Sequence, residues 1–182
     1  MVATTAKGEA RRTALQDAVI RVLEDGGSGA VTHRAIAAEA GMPVAAATYY
    51  FAGIDDLIVS ALLRVTAQQV AIFAPLNRNS GHADLAAVLH GWVYGSRAST
   101  IAHYELLLLA MRRDGLREAA DFWYRALEDA IDPLVSDRRC AWVAALAIDG
   151  LILQMLWRGE PESVTAVETA LRDILGTSPG AI

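Results

Sequence analysis

Between Arg11 and Leu23 the apolar side chains Leu15, Ala18, Val19, Val22 and Leu23 recur at steps of three and four residues, along one side of a 3.6-residue repeat. The spacing predicts an amphipathic helix, and Gly26-Gly27-Ser28-Gly29 ends it. Thr32 is suited to cap a second, short helix with Ile36, Ala37 and Ala40 inward, and Gly41 is placed to close it in a left-handed turn. Pro43 is tolerated in the first turn of a third short helix through Val44–Tyr50, because its missing N–H has no helical partner to lose. Two short helices joined by a tight, glycine-containing turn make a helix-turn-helix. Residues 1–10 are small and polar without periodicity and read as a flexible arm.

Beyond Phe51-Ala52-Gly53 a longer helix is expected, with Asp55 and Asp56 at its positive end and Leu57, Ala61, Leu62 and Val65 among its apolar positions. Pro75 and the stretch Asn77-Arg78-Asn79-Ser80-Gly81 break the pattern. Further helices are lined by Leu85, Val88, Leu89 and Trp92, by Ile101, Tyr104, Leu108 and Met111, and by Leu116, Ala120, Trp123, Leu127 and Ile131. No long stretch alternates with period two, so the fold class is all-α, with about nine helices. The predicted organisation is an arm (1–10), a three-helix head with the helix-turn-helix (11–53) and a helical body (54–182).

The segment from Arg139 to Arg158 is apolar nearly all round: Cys140, Ala144, Ala147 and Leu151 mark one face, Trp142, Leu146, Leu153 and Leu156 another. Such a helix needs cover on two sides. A last helix, opened by Pro161 and lined by Val164, Val167, Leu171, Ile174 and Leu175, can join it in a four-helix bundle with a symmetry mate. The dimer seam is accordingly expected at Ala144, Ala147, Leu151, Val167 and Leu171, where small residues permit close approach. The competing reading is an ordinary core helix.

Composition narrows the function classes. With 54% hydrophobic and 20% charged residues the chain is too apolar to be disordered, and a monomer is short of polar surface, which favours an oligomer. The 16 basic residues are outnumbered by 21 acidic ones. In the first 50 residues Lys7, Arg11, Arg12, Arg21 and Arg34 balance Glu9, Asp17, Glu24, Asp25 and Glu39, so the head shows no basic stripe by count. The single cysteine, Cys140, excludes an intrachain disulfide and a cysteine zinc cage, and fits a reducing, cytoplasmic setting. It reads as a buried, inert thiol. No signal peptide is expected, nor a membrane span, since Asp149, Gly150 and Gln154 interrupt the most apolar run. His33, His82, His90 and His103 lack metal-ligand pairing, and no phosphate-cradling loop or catalytic constellation is visible, so neither metal, cofactor nor enzymatic activity is expected.

The order of parts, with Thr32, Ile36, Ala37, Gly41, Tyr50, Phe51 and Leu57 at their relative positions, resembles the N-terminal signature of the TetR repressor family over 11–62. The body resembles the family in helix count and length. The resemblance implies a homodimeric, ligand-responsive repressor that binds a palindromic double-stranded operator, with its third helices in successive major grooves and an inducer cavity in the body. Two heads about 34–36 Å apart would read such a palindrome together. The DNA-facing residues are then Thr32, His33 and Arg34 at the start of the supporting helix, and Val44, Ala45, Ala46, Thr48, Tyr49 and Tyr50 on the recognition helix. Phe51 reads as a packing residue. Thr48 and Ile54 depart from the family pattern, which commonly has a Tyr and a Lys there; each departure removes a phosphate anchor and lowers the expected salt dependence.

In the body, Trp92, Tyr104, Met111, Trp123 and Asp149 suit a cavity for a moderately apolar small molecule, with Asp149 as the polar fixing point. Most of these side chains also suit a plain core. Two rival functions remain: an all-α small-molecule carrier or enzyme, and a dimeric DNA-binding adaptor that senses nothing.

Overall fold

A computed structural model of the chain describes residues 5–158 and 160–176. Among them there are helices and turns but no strand. The helices are α1 (Ala6–Gly26), α2 (His33–Glu39), α3 (Val44–Tyr50), α4 (Ile54–Ala71), α5 (His82–Gly95), α6 (Arg97–Ala110), α7 (Arg117–Ile131), α8 (Arg138–Arg158) and α9 (Val164–Leu175). They fall into two compact units, Met1–Thr66 with Ile101–Ala120, and Ala67–Thr100 with Asp121–Ile182. The first compact unit therefore reaches past Gly53 into α4 and takes in much of α6.

In the first unit α1 buries Leu15, Ala18, Val19, Val22 and Leu23, the side that the sequence pattern marks as apolar. The helix begins earlier than that pattern, at Ala6, where the Thr5 hydroxyl accepts a hydrogen bond from the Gly8 N–H at 3.3 Å. Residues 6–10 are therefore helical rather than an arm; the first turns carry few apolar side chains, so periodicity could not register them, while a cap can start a helix without one. Residues 1–4 of the expected arm lie outside the described residues. α2 packs between α1 and α3 through Ile36 and Ala37, both fully buried. Thr32 caps α2, its Oγ1 accepting from the Ala35 N–H at 3.1 Å. Gly41 then takes φ +64°, the left-handed turn expected of it, and Met42 N–H closes the loop onto the Ala37 carbonyl at 2.8 Å.

In the second unit α5, α8 and α9 pack against one another. Leu85, Leu89 and Val93 of α5, Ala144, Ile148 and Ile152 of α8, and Val167 and Leu171 of α9 are buried there. Three of the five expected dimer residues, Ala144, Val167 and Leu171, thus belong to the protomer's own core and are withdrawn from any partner; Ala147 is exposed and Leu151 half-buried. Of the small residues on α8, Ala144 and Ala145 are spent on packing against its own neighbours, while Ala147 and Gly150 stay exposed. α9 starts at Val164 with Ser163 as its cap, Oγ accepting from the Ala166 N–H at 3.1 Å, and not at Pro161. Cys140 is exposed, not buried, in the first turn of α8, where its backbone N–H donates to Asp137 Oδ1 at 2.9 Å. Between its terminal arginines, α8 is long and apolar enough to cross a membrane. Asp149, Gly150 and Gln154 do not interrupt it enough to prevent that, contrary to expectation; its buried inner face is what marks it as a core helix.

Candidate nucleic-acid interface

The seven residues of α3 divide cleanly by burial. Ala47 is sealed inside, while Val44, Ala45, Thr48 and Tyr49 are exposed, Tyr49 to 80%. Ala46 and Tyr50 are half-buried, and the two tyrosine rings meet edge to face with centroids 4.9 Å apart. Phe51 ends the helix in the core, with the Arg12 guanidinium 4.7 Å above its ring. An exposed helix face set on a buried anchor is the arrangement a major groove accepts.

The side chains available for reading DNA are small. Val44, Ala45 and Ala46 offer apolar contact to thymine methyl groups. Thr48 Oγ1 donates its hydrogen to the Ala45 carbonyl at 3.1 Å, which leaves it as an acceptor toward a base amino group or a water. At the mouth of α2, Thr32 and Arg34 are exposed; His33 is half-buried, with Nε2 enclosed and without a hydrogen-bond partner among the described residues. What His33 can offer a phosphate is its backbone N–H at the helix start.

A groove of about 540 Å³ runs beside α3, lined by Met42, Pro43, Ala45, Ala46, Tyr49 and Tyr50, and bordered by Arg11 of α1. Arg11 was absent from the residues the sequence pointed to. The available signal was its spacing of four from Lys7, which carries meaning only once residues 6–10 are known to be helical.

The expected ligand residues do not form one group. Trp92 and Trp123 are buried in the second unit with ring centroids 5.3 Å apart. Tyr104 is buried in the first unit, whereas Met111, also in that unit, is 71% exposed, just past the end of α6. Met111 therefore lines a surface groove with Glu105, Leu108 and Arg112 and is no cavity residue; Leu108, expected inward, is exposed beside it. Asp149 opens onto a groove of about 550 Å³ between α7 and α8, with Asp121, Tyr124, Arg125, Glu128 and Trp142. Burial, and then the Asp149 carboxylate, push the Tyr124 phenol above its ordinary pKa. Among the described residues no group of His, Cys, Asp or Glu side chains could hold a metal ion.

Comparison with known proteins gives this geometry a context. The description "bacterial regulatory proteins, tetR family" matches residues 15–61, and "tetracyclin repressor-like, C-terminal domain" matches residues 80–177, more than half of the chain. The chain belongs to the TetR family. It is similar to the HTH-type transcriptional regulator BetI of Rhizobium meliloti (strain 1021), 28% identical over 171 residues that span 86% of this chain and 83% of BetI. Two solved TetR-like structures are similar throughout. One is a TetR family member from Streptomyces coelicolor A3 (TM-score 0.82, 31% identity, 92% of this chain and 99% of that one). The other is the multidrug binding protein EbrR complexed with ethidium (TM-score 0.80, 31% identity, 92% of this chain and 99% of that one). As a TetR protein the chain is a DNA-binding transcriptional regulator, and α2 and α3 are its helix-turn-helix.

Proposed function

We propose that the protein is a ligand-responsive repressor that binds a palindromic operator as a homodimer and releases it when a small, moderately apolar molecule enters its body. The observation that carries the DNA-binding half is the outward side of α3, where Val44, Ala45, Thr48 and Tyr49 stand free of the chain's own core. With Thr32, Arg34, Ala46, Tyr50 and the backbone at His33 they form the operator contact. A head with so few base-reading side chains gains adequate affinity from a second, symmetry-related head.

Dimerisation is assigned to the outer face of α8. Trp142, Leu146, Leu153 and Trp157, spaced at four, seven and four residues, are exposed, Trp157 to 89%. Ala147 and Gly150 lie exposed among them and Leu151 at the margin. An uncovered apolar stripe of this size on a soluble regulator is a protein–protein surface. This replaces the expected seam with one displaced around the same helix.

Ligand response is supported by the groove between α7 and α8 onto which Asp149 opens and by the likeness to EbrR, a multidrug binding protein crystallised with ethidium. Asp149 is the polar residue proposed to fix the ligand. The test is selection of bound fragments from host genomic DNA with purified protein, followed by release with a metabolite mixture. Recovery of a palindrome that metabolites dislodge supports the reading. A palindrome that nothing dislodges favours the adaptor, and failure to enrich any site favours the carrier.

A further inference from the structure

We propose that Lys7 and Arg11, on the first turns of α1, are phosphate-contacting residues of the DNA-binding face. This rests on the DNA-binding reading of α3. Three observations converge on it. α1 is helical from Ala6, so Lys7 and Arg11 stand four residues apart on one side of an ordered helix. Glu9 lies on the other side, about 160–200° around the helix axis from them. Arg11 borders the same groove as Ala45, Ala46, Tyr49 and Tyr50, which puts its guanidinium at the edge of the surface that α3 offers to a duplex.

The pairing of charges across the first unit points the same way. Arg21 is bound to Glu39, Arg64 to Asp17 at 2.8 Å and Arg113 to Asp55. Lys7, Arg11 and Arg34 are exposed and make no ion pair among the described residues. Of the five acidic residues that balance the head by count, Asp17 and Glu39 are therefore neutralised by arginines, and Glu24 and Asp25 sit at the far, C-terminal end of α1. A segment of zero net charge thus carries unpaired cations, Arg11 among them beside α3, and a cation that neutralises a phosphate releases counterions from DNA.

Binding of the full-length protein to a short duplex of mixed sequence and to a genomically selected operator fragment is measured across a salt series for the unaltered chain, Arg11→Ala, Lys7→Ala, Arg11→Lys and Arg78→Ala. Arg78 is an exposed arginine of the other compact unit and controls for loss of one charge in general. Each alanine variant in α1 is expected to lower the slope of log affinity against log salt by about 0.9, equivalent to roughly 3-fold in affinity over a 4-fold change in salt. The loss should be equal on both duplexes, with Arg11→Lys and Arg78→Ala unchanged and melting temperatures unaltered. A wild-type slope in both α1 alanine variants overturns the proposal, as does a loss confined to the operator, which would mark base reading, or an equal loss in Arg78→Ala. Failure of the unaltered chain to bind either duplex overturns both this proposal and the DNA-binding reading.

Discussion

At Gly41 the chain needs φ +64° to turn from α2 into α3, and no atom lies where a Cβ would project. The cost of adding one is therefore a backbone cost. Gly41→Ala is expected to lower stability by about 1–2 kcal/mol, the penalty of a left-handed conformation for a residue with a Cβ, read by thermal or urea unfolding. His103 makes a different prediction. Its ring is sealed in the first unit with Nε2 3.2 Å from Thr66 Oγ1, and burial lowers its pKa from 6.5 to about 3. The unfolded chain takes up a proton near pH 6.5 that the folded chain refuses until about pH 3, so stability falls on acidification through that window and is insensitive to this group above it. Between pH 7 and pH 5 the loss is about 2 kcal/mol. Urea midpoints at the two pH values should converge in His103→Gln; an undiminished difference would remove His103 as the cause.

Elements follow from caps as much as from apolar repeats. Thr5, Thr32 and Ser163 each accept a backbone N–H at the start of a helix; Thr5 sets a boundary that periodicity misplaced, at Ala6, and Ser163 one that Pro161 had suggested three residues early, at Val164. Thr32→Ala should cost about 1 kcal/mol of stability, and Thr32→Ser should restore it, in chemical denaturation. On α3 stability and function separate by face. Ala47 has no exposed surface, so Ala47→Leu overpacks the junction with α2 and should cost about 1–3 kcal/mol. Tyr49→Ala, on the exposed face, should weaken operator binding with melting unchanged. Equal loss of both in Tyr49→Ala would show that this face is structural.

For the whole molecule the decisive surface is the outer side of α8. Leu146→Glu combined with Trp157→Glu places charge in the proposed seam without touching the buried Ala144, Ile148 and Ile152. Sedimentation velocity should then show a folded monomer with weakened operator binding; a dimer that persists would locate the interface elsewhere. The all-α class and the helix-turn-helix were legible in the sequence, because each depends on local spacing along the chain. Leu15, Ile36 and Leu57 needed only their neighbours' periodicity and caps to be placed inside; the burial of Ala47 among three other small residues of α3 had no such signal.

Several assignments were not local. Which side of α8 faces α5 and α9, and which is left exposed, depends on the register of helices far apart in sequence; both sides are apolar, so their composition does not distinguish them. For the same reason Cys140 came out exposed and Ala144, Val167 and Leu171 came out buried. The charge of the head shows the same division. Counted along the chain it cancels, but folding pairs Arg21 and Arg64 with carboxylates and leaves Lys7, Arg11 and Arg34 unpaired, because Coulomb attraction acts across space between groups that only tertiary contact brings within reach.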